Sequence, residues 1–294
     1  MFVAAVVFGQ IGDLPILPPS GGPGPPAGDP GEPASDGFPD VGEPRFADGG
    51  EQGQVEQIWG GIACQRRDRV TAARFGGASD PGPDGAPVNS GFRRLRVLDG
   101  DDSSGERCEL GLNDHFTSPV ALYREGERLI TYTSLKLSKG FPLDRPSWQV
   151  VLQMKQSQPS NRGGGIPVLA LHAYDDRWRL VGRNGELWSA RASKNLWTRF
   201  AFDVNYSPDP RTGWASLSVD LNGDGDALDR REQSERFELA TLKVEGPGSS
   251  DDGVAKGAAI PSHLRAGIYH NPVYSCSRYR CSIGVDEVGV YEPK

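Results

Sequence analysis

The stretch HLRAGIYHN, residues 263–271, alternates with period two: Leu264, Ala266 and Ile268 fall on one side, Arg265, Gly267 and Tyr269 on the other. Such a segment is a β-strand that buries its aliphatic set and presents a guanidinium and a phenol on the opposite face. The gap at Gly267 reads as room for a flat ligand to lie against the sheet. Two further segments repeat the device. In ERCELGL, residues 106–112, Arg107 and Glu109 project one way, Cys108 and Leu110 the other. In WQVVLQMKQ, residues 148–156, strict alternation puts Trp148, Val150, Leu152 and Met154 on one face and Gln149, Val151, Gln153 and Lys155 on the other.

Outward from these strands the chain continues in the same manner. RLITYTSLKL, VLALHAYDD, RWRLVGR, WTRFAFDVNY, GWASLSVDL and IGVDEVGVYE are short alternating segments separated by turn residues. Many such strands at even spacing, with no amphipathic helix between them, predict an all-β fold, an antiparallel sandwich or jelly roll. The folded domain is expected over residues 55–294. Before it, LPILPPSGGPGPPAGDPGEPASDGFPDVGEP is dense in Pro and Gly and has no apolar period. Residues 1–54 therefore read as a disordered or polyproline-like segment, since they cannot bury enough surface to offset their ordering entropy.

The net charge of −7 in 294 residues argues against a nucleic-acid or anionic-membrane partner held by bulk electrostatics. A polyanion would have to be gripped by a local cluster. No stretch has the length of a transmembrane helix. MFVAAVVFGQIG at the start has an apolar run without a preceding positive residue, so it reads either as a clipped signal peptide or as an apolar N-terminus. Four cysteines without zinc-site spacing predict two disulfides, Cys64–Cys108 and Cys276–Cys281, as expected of a secreted protein; four reduced thiols are the alternative. Cys108 alternates inward, where Cys64 can reach it.

The set RCEL (107–110), QMK (153–155) and RAGIY (265–269), in that order on separate strands, resembles the R-(S/T)-E-L, Q-(I/V)-H and K-A-G-x-Y signatures of the jelly-roll polysaccharide lyases. The text around them, YREGERLITYTSLKLSKGFP, WQVVLQMKQ, LWTRFAFDVNYS and LRAGIYH, is similar to the heparin lyase I-like branch, related to alginate and glucuronan lyases, over roughly residues 90–290. The resemblance implies a concanavalin-like sandwich that cleaves an anionic, uronate-containing polysaccharide by β-elimination without a required cofactor. It implies Tyr269, Gln153, Arg107 and Lys155 as catalytic residues and Arg265, Glu109, His172 and His115 as substrate-binding residues. The reaction needs the sugar carboxylate neutralised, the C5 proton taken and the C4 oxygen protonated. A carboxamide, guanidinium and ammonium supply the first. A phenol supplies a proton directly, and takes one only where cations sit beside it.

Lys155 stands where the family usually has His. A lysine serves as base near neutrality only when desolvated or crowded by cations. Three outcomes are open: Tyr269 carries both proton transfers, another histidine takes over (His172 first, then His115), or activity is weak or lost. A second site is suggested by DLNGDGDALDRRE, residues 220–232. Asp220, Asn222 and Asp224 occupy positions one, three and five of a calcium loop, and Arg231 replaces the usual Glu at twelve, leaving Asp226, Asp229 or Glu232 to complete the shell. An acidic Asn-Gly hairpin is the alternative, and a calcium ion here would be structural. Two rival functions remain, a carbohydrate-binding module on the same sandwich and a glycoside hydrolase. The second would need two carboxylates facing the glycosidic bond. A monomer is expected.

Overall fold

Strand β17 (Ser282–Pro293) runs through the middle of the larger sheet and shows how the chain is layered. It pairs along one side with β6 (Arg128–Leu137). On the other side its first half pairs with β4 (Gly91–Arg96) and its second half with β1 (Val41–Asp48). The sheet continues past β4 to β3 (Val70–Arg74), and past β6 through β11 (Trp197–Asn205) and β12 (Trp214–Asp220) to β13 (Phe237–Glu238). The second sheet has the order β10 (Gly185–Arg191), β9 (Arg177–Gly182), β8 (Leu169–Tyr174), β7 (Gln149–Gln156), β16 (Ser262–His270), β5 (Arg107–Gly111), β2 (Gly61–Cys64). All these pairings are antiparallel, as is the small ladder of β14 (Lys243–Val244) with β15 (Ala259–Ile260). The structure is a computed structural model and describes residues 36–50, 55–74, 91–101, 106–112, 121–156, 167–244, 257–273, 275–276 and 281–294.

One core lies between the two sheets and draws inward residues from both: Leu110, Leu152, Met154, Leu171, Leu264 and Ile268 from the second, Leu95, Leu135, Phe200, Phe202, Val285 and Val290 from the first. Full burial of each such side chain contributes about 1.5–3 kcal/mol. Trp178 meets Phe200 edge-on across the layer at 5.2 Å, and the Tyr206 hydroxyl donates to Met154 Sδ at 3.2 Å. The expected all-β sandwich is the observed fold. Its only α-helix among the described residues is the single turn Val55–Ile58, and no helix there is long and apolar enough to cross a membrane.

The expected boundary at 54/55 falls too late. Residues 41–48, assigned by composition to the Pro/Gly-rich segment, form β1 on the larger sheet, with register shifts on both sides of Pro44. Proline is tolerated at such irregularities because a ladder N–H is not needed there. Just before it, Phe38 packs with Ile130 and Tyr132 on the outer face of the sheet, and the Tyr132 hydroxyl donates to Pro39 O at 2.7 Å. Asp48 closes the arrangement beneath: it accepts from Trp59 Nε1 at 2.6 Å and pairs with the buried Arg93 guanidinium at 3.3 Å. These partners of the segment were invisible to a composition count.

Both expected disulfides are present, Cys64–Cys108 and Cys276–Cys281. Cys64 and Cys108 are direct cross-strand partners, and Cys108 is buried as its alternation predicts. On chain-entropy grounds closing the longer loop contributes about 4 kcal/mol and the shorter about 2 kcal/mol.

Candidate active site

Cross-strand partners share a face, so the register of the second sheet gives the composition of its outer surface. Arg107, Tyr269, Val150, His172 and Arg179 follow one another across β5, β16, β7, β8 and β9. Arg265, Gln153 and Ala170 form the next row and His263 with Lys155 a third. The three separated motifs therefore meet on adjacent strands.

Strict alternation misplaces the start of β7. Leu152 pairs with Leu171 and Val150 with His172, so β7 carries one residue more than β8, and Val151 joins Leu152 in the core. This bulge flips the phase. Trp148 and Val150 belong to the outer face, and the Trp148 ring meets Tyr269 edge-on at 5.0 Å. Gln149 is turned away, fully buried, and donates from Nε2 to Pro142 O at 2.8 Å. Against β7, β16 is irregular between Ala266 and Tyr269. Gly267 there has φ +149°, and a Cβ would lie 2.2 Å from Cys108 O and 2.7 Å from Glu109 Cα. The backbone of β5, and not an approaching ligand, requires this glycine.

The centre of the surface is organised from below by Glu109. Its carboxylate is buried, 1% exposed, and accepts from Gln153 Nε2 at 2.5 Å. Arg107 Nη1 lies 3.6 Å and Arg265 Nη1 3.8 Å from its other oxygen. Arg107 also stacks on Tyr269, its Cζ 4.0 Å from the ring centroid. Arg265 donates from Nε to His263 Nε2 at 3.2 Å. One buried anion thus orients a carboxamide and two guanidiniums. Glu109 lies beneath the surface, where an anionic ligand would not meet it.

Lys155 meets the condition set by its sequence. Burial, then the charges of Lys243, Arg265 and Arg107, push its ammonium down to about 8 against the opposing pull of Glu109. His172 is driven the other way from usefulness: burial and Arg179 push its imidazole down to about 4, and among the described residues its Nδ1 has no hydrogen-bond partner. His263 is the histidine opposite Lys155. His270 faces away, buried, with Nε2 3.1 Å from Glu106 Oε2 and 3.0 Å from Cys276 Sγ.

Tyr269, Gln153, Arg107, Lys155 and Arg265 are thus brought together, with His172 one strand beyond Val150. His115 lies outside the described residues. Trp148 and His263 were missed: the bulge hid the first, and cross-strand register, which a single sequence does not carry, the second. The Asp220–Glu232 loop follows β12, on the other sheet. Asp220 accepts from Gly223 and Gly225 N–H at 2.6 and 3.0 Å, Glu232 from Leu221 and Asp229 N–H at 2.9 and 2.8 Å. Asn222 Nδ2 donates to Asp224 and Asp229, and Asp226 accepts from Leu228 N–H. Burial pushes the Glu232 carboxyl up, with Asp229 and Asp220 adding to it. The loop has the hydrogen bonds of a closed hairpin.

Comparison with known proteins places these residues in context. The family described as polysaccharide lyase matches residues 52–288. No curated protein matches the chain. Among solved structures, an endo-β-1,4-glucuronan lyase from the fungus Trichoderma reesei superposes with a TM-score of 0.56 at 16% identity, covering 85% of this chain and 96% of that one. A marine alginate lyase from Aplysia kurodai does so with a TM-score of 0.52 at 10% identity, covering 86% of this chain and all of the other, 100%. At these identities the likeness is one of fold, and it is to the jelly rolls of lyases.

Proposed function

As the chain belongs to the polysaccharide lyase family, we propose that it cleaves a uronate-containing anionic polysaccharide by β-elimination on the outer face of the second sheet. The observation that carries the reading is that a carboxamide, two guanidiniums and a low-pKa ammonium share the sheet face that carries Tyr269. In this reading Gln153 and Arg107 neutralise the sugar carboxylate and hold the charge that develops as C5 loses its proton. The free amine of Lys155 takes that proton, the electron pair forms the C4–C5 double bond, and the C4–O bond breaks. The Tyr269 hydroxyl protonates the leaving oxygen, and the proton on Lys155 later returns to Tyr269 through solvent.

Lys155 is preferred to His172 because a base titrating near the working pH is the more effective one, and 8 lies nearer neutrality than 4. Tyr269 pairs with Val150, five residues from Lys155, about 16 Å along an extended strand. In this reading the sugar ring lies between them, over Gln153, within reach of a long side chain at each end. Arg265 binds a neighbouring sugar. The heparin lyase I-like branch, an extracellular location consistent with two disulfides, a monomeric state and a structural calcium ion in the Asp220–Glu232 loop are parts of the same proposal.

A panel of uronic-acid polymers assayed for an unsaturated, ultraviolet-absorbing product tests the reaction, and Tyr269→Phe tests the assignment. The variant keeps the ring against Trp148 and Arg107, so binding is expected to persist while turnover falls on the order of 10²–10⁴-fold. Wild-type turnover in Tyr269→Phe would refute the role of the phenol. Binding without product across the panel would leave a carbohydrate-binding module.

A further inference from the structure

The outer face of the larger sheet, on the far side of the sandwich from Tyr269, carries a cleft of about 570 Å³. Cross-strand register lines up Trp197, Lys136, Gly284, Arg94 and Thr71 across β11, β6, β17, β4 and β3. Arg96 stands two residues further along β4, opposite Ser282, and Lys139 and Asn195 complete the rim. Gly284 leaves the middle of the row without a side chain. A Cβ there would lie 2.8 Å from Trp197 and 3.2 Å from Phe92, whose rings meet edge-on at 5.3 Å, Phe92 lining the floor. Arg94 and Lys136 lie over these rings, 5.4 Å from Phe92 and 5.7 Å from Trp197.

The acids nearby are already engaged. Asp68 pairs with Arg66 at 3.0 Å and Asp101 with Arg69 at 2.7 Å. Among the described residues Arg94, Arg96 and Lys139 form no ion pair, and all three are exposed. In a chain of net charge −7 this is a local concentration of positive charge over an aromatic floor. Lys136 and Arg94 are two strands apart, roughly 10 Å, and Arg96 is about 7 Å further along its strand. Charges so spread match several carboxylates along a chain better than one small anion.

We propose that this cleft is a second, non-catalytic binding site for an anionic polysaccharide, holding the polymer by its carboxylates while the other sheet performs the reaction. The class of ligand rests on the reading given under Proposed function; the charge and shape of the cleft do not. The test uses full-length Tyr269→Phe protein, so that polymer stays intact, titrated calorimetrically with polyglucuronate and with alginate at low salt. Hydroxyethylcellulose is the neutral control. Charge reversal by Arg94→Glu with Arg96→Glu is expected to weaken polymer affinity about tenfold, two exposed ion contacts being lost, and to remove one class of sites. Binding at this site should fade in 0.5 M salt. On the Tyr269-intact background the double variant should cleave short oligouronates at the parental rate and show a raised KM for polymer. Unchanged affinity and stoichiometry in the reversal variant, with normal product formation, overturns the cleft and spares the reaction. Weakened binding with no product from any polymer does the reverse.

Discussion

Lys155→Arg separates two roles that Lys155 could play. Arginine keeps the positive charge but has no accessible neutral form, whereas the lysine amine becomes free around pH 8. If Lys155 is the base, roughly a tenth of parental molecules carry the free amine at pH 7 and roughly a hundredth at pH 6. The parental rate should therefore rise about tenfold per pH unit up to 7 and level off above 8. Lys155→Arg should lose on the order of 10²–10⁴ in kcat at every pH. Lys243→Ala removes one of the cations that depress the amine, so its acid limb should move to higher pH. Initial rates of unsaturated-product formation between pH 5.5 and 10 measure all three. A flat parental profile from pH 6 to 8, or an arginine variant with most of the parental kcat, would show that Lys155 acts only through its charge.

His172 is buried with its imidazole held down to about 4, so below its ordinary value the unfolded chain takes the proton first. Stability should fall as pH drops from 6.5 to 4, by up to about 3 kcal/mol, and His172→Gln should remove that share of the slope in urea unfolding at pH 4.5 and 7. Equal slopes in parent and variant refute it. Calcium should raise the melting temperature by binding the native Asp220–Glu232 loop. A Tm unchanged between calcium and chelator leaves the hydrogen-bonded hairpin alone. Gly267→Ala should cost about 1–3 kcal/mol of stability, because its φ and the β5 backbone oppose a Cβ. Normal stability with weakened substrate binding would restore the reading of Gly267 as a ligand gap.

The sandwich was legible because most strands bury one face, and Leu264, Ala266 and Ile268 of β16 and Cys108 and Leu110 of β5 face the core as alternation predicts. Cys108 could be aimed at Cys64 for the same reason. At β7 simple alternation breaks down for a physical reason. Val150, Val151 and Leu152 are all apolar, so nothing in the residue types marks the extra residue that turns Trp148 toward Tyr269. Strand β1 was lost among prolines, since only its partners on β17 make it a strand. The site was legible as a set of residue types. Its wiring was not: that Glu109 is buried, that two arginines share it and that cations crowd Lys155 are properties of register and depth.

The bond between Cys64 and Cys108 falls between two residues of the site, for Arg107 and Glu109 flank Cys108 on β5. Strand β2 is the edge of its sheet and only four residues long, so without the bond it is held by a short ladder and the packing of Ile62. Reduction would loosen the neighbour that steadies β5, and with it the carboxylate that aims Gln153 and both guanidiniums. Under the proposed function oxidation would be a step in maturation: a chain still reduced would have every side chain assigned to the reaction and lack their alignment. Activity toward polyanions would arise where the disulfide forms, away from the anionic polymers inside the cell that made it.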